Sequence, residues 1–223
     1  MPRPRRHLLA GGYYHLINRG NNRSLVFRRP GDYRSFLALV DQAQQRVRLQ
    51  ILAFCLMPSH FHLVVSPRRQ EDVSQWMHWL TTTHAHRQHL RYGTSGCVWQ
   101  GRFKSFQITT DGHLLTVMRY VERNALRAGL VERAEEWPWG SLALRMTEIT
   151  GARLADPPFA LPSDWAIRVN APQTPAELAA LRKAVNRQTP FDFDPSQEDA
   201  AGVEALSAPR RGRGRPRKAP QEK

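Results

Sequence analysis

Met57-Pro58-Ser59-His60-Phe61-His62-Leu63-Val64-Val65 is the one stretch where polar, metal-capable side chains are written into a strand. Residues 51–65 are strongly apolar, β-branched toward their end, preceded by Arg48 and Gln50 and followed by Ser66-Pro67, which predicts a buried strand over at least the second half. Successive side chains of a strand point to opposite faces, so His60 and His62 project together while Phe61 and Leu63 project the other way. Two imidazoles on one face make half of a divalent-metal site, and further donors must come from elsewhere. A pair of histidines on a half-exposed strand would read the same, so the rest of the chain has to decide.

On the N-terminal side, Tyr13 to Arg19 favours a strand, and Gly20-Asn21-Asn22-Arg23 is a turn with an arginine on each side. From Pro30 to Val47 the apolar residues Tyr33, Phe36, Leu37, Val40, Ala43 and Val47 recur at three- and four-residue steps, a core-packed helix begun by proline. Leu49 to Met57 and His60 to Ser66 are then two strands joined at Pro58-Ser59. On the C-terminal side, Glu71 to Tyr92 is a helix with acidic residues at its start and arginines near its end. Its four histidines, His78, His84, His86 and His89, lack the i, i+4 spacing of a helical metal motif and read as a solvated or phosphate-facing surface. Trp99 to Ile108 alternates into a fourth strand in which Arg102 and Lys104 are interleaved with aromatic rings. That mixture suits single-stranded nucleic acid, although Phe103 and Phe106 are equally readable as core.

Asp111 to Gly129 is a third helix, with Leu114, Met118, Val121 and Ala125 as its apolar stripe. At about 100° per residue, Tyr120 and Asn124 lie roughly 40° apart on its surface, one turn from each other. Glu122 falls nearer the opposite flank. The helix therefore offers a phenol and an amide oxygen at one spot, though a helical tyrosine is as readily a packed aromatic whose hydroxyl reaches water.

The chain has 33 Lys+Arg against 19 Asp+Glu, a net charge of +14, and so favours polyanionic partners, nucleic acid first. No run approaches the ~20 apolar residues of a membrane span and no signal-peptide core is visible, so a soluble, cytoplasmic and nucleoid-associated protein is expected. Cys55 and Cys97 form neither a disulfide framework nor a Cys-type zinc site. Beyond Trp139 the chain reads less like a catalytic core: Gly151 to Pro175 is Pro- and Ala-rich with Trp165 as a docking residue, followed by an amphipathic helix from Pro175 to Gln188 carrying Leu178, Leu181 and Val185. The last residues, 191–223, form a flexible basic tail. Its Arg210 to Lys218 run resembles an AT-hook, with Arg213, Arg215, Arg217 and Lys218 as minor-groove or simply phosphate contacts.

Taken together, the His-hydrophobic-His strand, the helical Tyr-x-x-x-Asn and the order strand–helix–strand–strand–helix–strand–helix resemble the single-tyrosine HUH transposases. More narrowly, Tyr14-His15, Arg19 to Arg23, Met57 to Leu63, Trp99 to Ser105, Tyr120-Val121 with Asn124, Arg127 to Val131, and Trp137-Pro138-Trp139 resemble the REP-associated tyrosine transposases. The match spans about residues 13 to 145. One departure is Ala125, where such proteins commonly carry proline.

The resemblance implies an α+β, ferredoxin-like antiparallel sheet with helices on one face over residues 13–147. A basic arm over residues 1–12 precedes it and a helical extension over residues 148–190 follows. It implies Tyr120 as nucleophile, His60, His62 and Asn124 as ligands of Mg²⁺ or Mn²⁺, and Arg19, Asn21, Asn22, Arg23, Trp99, Arg102, Lys104 and Arg127 as DNA contacts. The activity implied is nicking and rejoining of single-stranded DNA at repetitive extragenic palindromic (REP) hairpins through a 5′-phosphotyrosine, by a monomer or a homodimer. A binding protein on the same fold with little turnover is the competing expectation. A replication initiator or relaxase would normally bring a longer chain, a third histidine or an attached helicase.

Overall fold

A two-residue turn at Pro58-Ser59 folds β2 (Leu49–Met57) back onto β3 (His60–Pro67), with Met57 opposite His60. The Pro58 carbonyl accepts the backbone N–H groups of Val26 at 2.8 Å and Phe27 at 2.9 Å, which pins the turn from outside. In this computed structural model, which describes residues 8–147 and 154–180, β1 (Tyr13–Arg19) pairs antiparallel with β3 and β4 (Lys104–Ile108) pairs antiparallel with β1. The sheet order is β2-β3-β1-β4.

Both β2 and β3 are buried along nearly their whole length, so the sheet needs cover on both faces. The crossover helices α1 (Pro30–Arg46) and α2 (Asp72–Tyr92) cover one: Leu16, Phe61, Leu63 and Val65 share a core with Phe36, Val40, Trp76 and Leu80. The third helix, α3 (Asp111–Glu122), covers the other, where Ala53, Cys55, Val64 and Ile108 meet Leu114, Val117, Met118 and Val121. The α+β antiparallel sheet is as expected, but helices on one face describes only α1 and α2. The apolar stripe of α3 must also be buried, and the face bearing His60 and His62 is the one left for it.

Two elements end differently from the sequence reading. The helix expected over 111–129 is interrupted at Arg123 (φ −79°, ψ −7°) and resumes as the short α4 (Asn124–Arg127), although Ala125 stands where a proline would explain a break. The Arg123 guanidinium donates to the carbonyls of Val169 and Asn170, tying the interruption to the C-terminal extension. The fourth strand begins at Lys104 rather than Trp99, because the Trp99 ring turns inward onto Phe36 and Phe61 and Gly101 takes φ +132°.

The segment after α4 closes the β2 edge, which would otherwise offer unpaired backbone. Trp139 accepts from the Leu56 N–H at 2.9 Å, the Ser141 hydroxyl oxygen from Phe54 N–H at 3.0 Å, and Ile51 from Ala155 N–H at 2.7 Å. The helices α5 (Ser141–Met146) and α6 (Trp165–Asn170) follow. Trp165 is buried as a docking residue should be, at the start of α6. Residues 175–180 are helical and Leu178 packs on the α3 core, as read. Leu181, Val185, residues 1–7 of the N-terminal arm and the tail with Arg213, Arg215, Arg217 and Lys218 lie outside the described residues. Among the described residues no helix is long and apolar enough to cross a membrane.

Candidate active site

The strand register assembles the site on the face turned to α3. Residues opposite one another in antiparallel strands share a face, so one row reads Met57, His60, Arg19 and the next Cys55, His62, Ile17, Lys104. The row beyond holds Val64, His15 and Phe106. The His60 and His62 rings are 5.1 Å apart. His60 Nδ1 sits 3.1 Å from the Ser59 hydroxyl, and His62 Nδ1 sits 2.9 Å from Nε2 of His15.

These imidazoles are neutral at physiological pH. Burial brings His60 down to about 4, with the Arg19 and Arg127 charges adding to it. Burial lowers His62 well below the ordinary range, helped by His15, His60, Arg127 and Arg19. His15 falls to about 3, through burial first and the nearby His113 second. A neutral imidazole keeps a lone pair for a cation, which an imidazolium does not.

From the helix side, the Tyr120 ring stands 5.9 Å from the His62 ring at 81°, and 6.2 Å from that of His15. The Arg127 guanidinium lies 4.7 Å over the Tyr120 ring, donates to the Tyr120 hydroxyl oxygen at 3.3 Å and donates to Asn124 Oδ1. Tyr120 and Asn124 thus meet at one spot as their spacing predicts, and the same arginine grips both. Asn124 is 1% exposed and its Nδ2 has no hydrogen-bond partner, so only its oxygen is engaged, by Arg127. Among the described residues no three His, Cys, Asp or Glu side chains are grouped to hold a metal, so a third donor beside His60 and His62 would have to be of another kind, and the Asn124 oxygen, tied to Tyr120 through Arg127, is the candidate. Two neutral imidazoles and an amide oxygen are donors that a divalent cation could use, with water or a substrate oxygen filling the remaining positions.

Of the residues read as DNA contacts, Arg19 and Lys104 share the histidine face, and Arg19, Asn22, Arg23, Arg102, Lys104 and Arg127 are exposed, with Asn21 half-buried. The turn over 21–23 needs left-handed backbone at Asn22 (φ 51°) and Arg23 (φ 58°), and Gly20 has no room for a Cβ, which would meet Val26 Cγ2 at 2.7 Å and the Ser24 carbonyl. Hydrogen bonds of 2.8 Å from Gly20 N–H to Ser59 and from Asn21 N–H to Val98 hold this turn beside the β2–β3 turn.

Trp99 is a correction: it is buried against Phe61 (5.2 Å), and its indole donates to the Thr81 carbonyl at 3.2 Å, leaving no face for a base. His84 is another, since it packs within 5.2 Å of Trp99 and 5.0 Å of Phe36 instead of facing solvent. Phe103 and Phe106 take their core reading. His15 was missed as a site residue. Its signal is the same alternation that pairs His60 with His62, but only strand register reveals that the three share a face.

Comparisons with known proteins place this geometry. The profile of the family described as "Transposase IS200 like" matches residues 9–124. A Haemophilus influenzae protein provisionally named a REP-associated tyrosine transposase is 25% identical over 117 residues, 48% of this chain and 66% of that relative. The chain therefore spans just under two thirds of that relative's length. A solved REP-associated tyrosine transposase bound to a REP hairpin aligns with a TM-score of 0.57 and 18% identity, over 72% of this chain and 95% of the other, a likeness of fold.

Proposed function

This chain belongs to the IS200-like transposases, the family matched over residues 9–124, and from that premise we propose that it is a divalent-cation-dependent single-strand DNA endonuclease and strand transferase using Tyr120. The observation that carries this reading is the Tyr120 ring 5.9 Å from His62, on the sheet face that also bears His60. Packing alone does not require a phenol, two neutral imidazoles and an amide with an unpartnered Nδ2 to meet.

His60, His62 and the Asn124 side-chain oxygen would hold Mg²⁺ or Mn²⁺; a carbonyl oxygen has two lone pairs, and Arg127 uses one. When bound, such a cation withdraws charge from a scissile phosphate that otherwise repels nucleophiles. Arg127 donates to the Tyr120 oxygen, which orients the phenol and favours negative charge developing there. The phenolic oxygen bonds to phosphorus as its proton leaves to water, and the P–O3′ bond breaks, the departing 3′ oxygen taking up a proton. A 5′-phosphotyrosine and a free 3′-OH result. Attack by a 3′-OH of the same or another strand reverses the step and returns the phenol its proton, with no ATP needed because the phosphodiester energy is conserved.

For the substrate we propose REP-type DNA hairpins with single-stranded flanks, because the solved relative of this fold is bound to one. The exposed residues Arg19, Asn22, Arg23, Arg102, Lys104 and Arg127 would meet the backbone, with Asn21 beside them and the tail residues Arg213, Arg215, Arg217 and Lys218 adding affinity. Action on chromosomal DNA would place the protein on the nucleoid in the cytoplasm. The second reading, hairpin binding without turnover, is favoured by one observation: Arg127 already occupies both Tyr120 and Asn124.

A labelled hairpin oligonucleotide with Mn²⁺ separates the two. His60→Ala and His62→Ala should each abolish cleavage while sparing hairpin binding. If the wild-type protein binds and never cleaves, the second reading replaces the first.

A further inference from the structure

The buried imidazole of His15 has no part in the reaction above, yet it makes the closest polar contact to His62. We propose that His15 is a positioning residue that holds His62 as its Nδ1–H tautomer, so that Nε2 keeps the lone pair presented to the cation. The inference rests on the reading of His60 and His62 as cation ligands and deepens it.

Two neutral imidazoles 2.9 Å apart, His15 Nε2 and His62 Nδ1, must share one proton between those nitrogens. If His15 donates, the remaining His62 proton sits on Nε2 and that nitrogen cannot ligate. If His62 donates, Nε2 is free. Two features favour the second arrangement. The row on the other side of His62 from His15 carries Arg19, and a cationic neighbour there opposes an N–H directed toward it and favours a lone pair. His60 also turns its Nδ1 to a neighbour, the Ser59 hydroxyl at 3.1 Å, so the side-chain contacts of both histidines fall on Nδ1 and leave Nε2.

The ring geometry agrees with a fixed orientation. His15 and His62 are 5.1 Å apart and 21° from parallel, and Phe106 at 5.8 Å and Tyr120 at 6.2 Å pack around His15. Metal-bound histidines commonly donate their second ring N–H to an oxygen that fixes tautomer and orientation. Here a buried strand offers an imidazole nitrogen in that place, one row along the sheet.

Long-range ¹H–¹⁵N correlation spectra of the metal-free wild-type protein read the His62 tautomer directly, and Mn²⁺ titration followed by electron paramagnetic resonance reads affinity without any reaction. His62 is expected as Nδ1–H. His15→Leu, which removes the acceptor from an apolar setting, should weaken Mn²⁺ binding roughly 10–100-fold, and His15→Gln, whose Oε1 can accept, should recover most of it. A wild-type spectrum showing His62 as Nε2–H overturns the proposal even if His15→Leu fails to fold, and so does unchanged Mn²⁺ affinity in a folded His15→Leu. Wild-type protein that binds no Mn²⁺ overturns the cation reading instead, and the tautomer spectrum still decides the role of His15.

Discussion

Arg127 touches both of the α3–α4 side chains to which the proposed reaction assigns a role, the phenol and the amide. Its guanidinium stacks on Tyr120 and donates to both Tyr120 and Asn124 while remaining exposed enough to meet DNA. Losing one donor aimed at developing charge typically costs about 10²–10³ in rate, so Arg127→Ala should slow single-turnover strand cleavage by that order. Arg127→Lys should recover only part, because an ammonium cannot bridge two acceptors as a planar fork does. An Arg127→Ala protein that cleaves at the wild-type rate would remove the arginine from the chemistry. At this scale the sequence was most legible where spacing is local. His60 and His62 are two apart on a strand and Tyr120 and Asn124 four apart on helical backbone, and Arg123 stays close enough to helical angles that its interruption does not separate the latter pair. His15 and Trp99 were illegible for the opposite reason: which face or core a side chain enters depends on partners far along the chain, His62 and Phe106 for His15 and Phe36 and Phe61 for Trp99.

Among elements, α3 is the one whose position matters most, and a buried carboxylate anchors it. Glu122 is fully enclosed and accepts from the Ser141 hydroxyl at 2.6 Å, Arg145 Nε at 2.9 Å and the Trp165 indole at 2.7 Å, linking α3 to α5 and α6. Removing one partner of a buried ion pair costs about 3–5 kcal/mol, so Glu122→Ala should lose stability of that size in urea unfolding, and a loss under about 1 kcal/mol would show that the anchor is incidental. The order of strands and helices was readable from periodicity and punctuation, as was the position of Glu122 on the flank away from Asn124. That α3 lies opposite α1 and α2 was not, since an apolar stripe states that a helix is buried and is silent on which face buries it.

For the whole molecule, the buried neutral histidines set the response to acid. Burial lowers His84 and His113 to about 4 and His15 to about 3, against about 6.5 in an unfolded chain. A depressed folded pKa means that the unfolded state takes up protons first, so this stability is whole above pH ~6.5 and is lost as pH falls toward ~4. The thermal midpoint should be level above neutrality and fall between pH 6 and 4. His84→Leu, away from the active site and among Phe27, Phe36 and Trp99, should shallow that fall; an unchanged slope would mean that His84 titrates normally. The most direct test of the central claim is the covalent adduct itself. The protein is incubated with a labelled hairpin oligonucleotide and Mn²⁺, digested, and the DNA-bearing peptide sequenced by mass spectrometry. The account predicts a 5′-phosphotyrosine at Tyr120 that is absent from Tyr120→Phe, whereas cleavage by Tyr120→Phe at the wild-type rate, or an adduct on another residue, would contradict it.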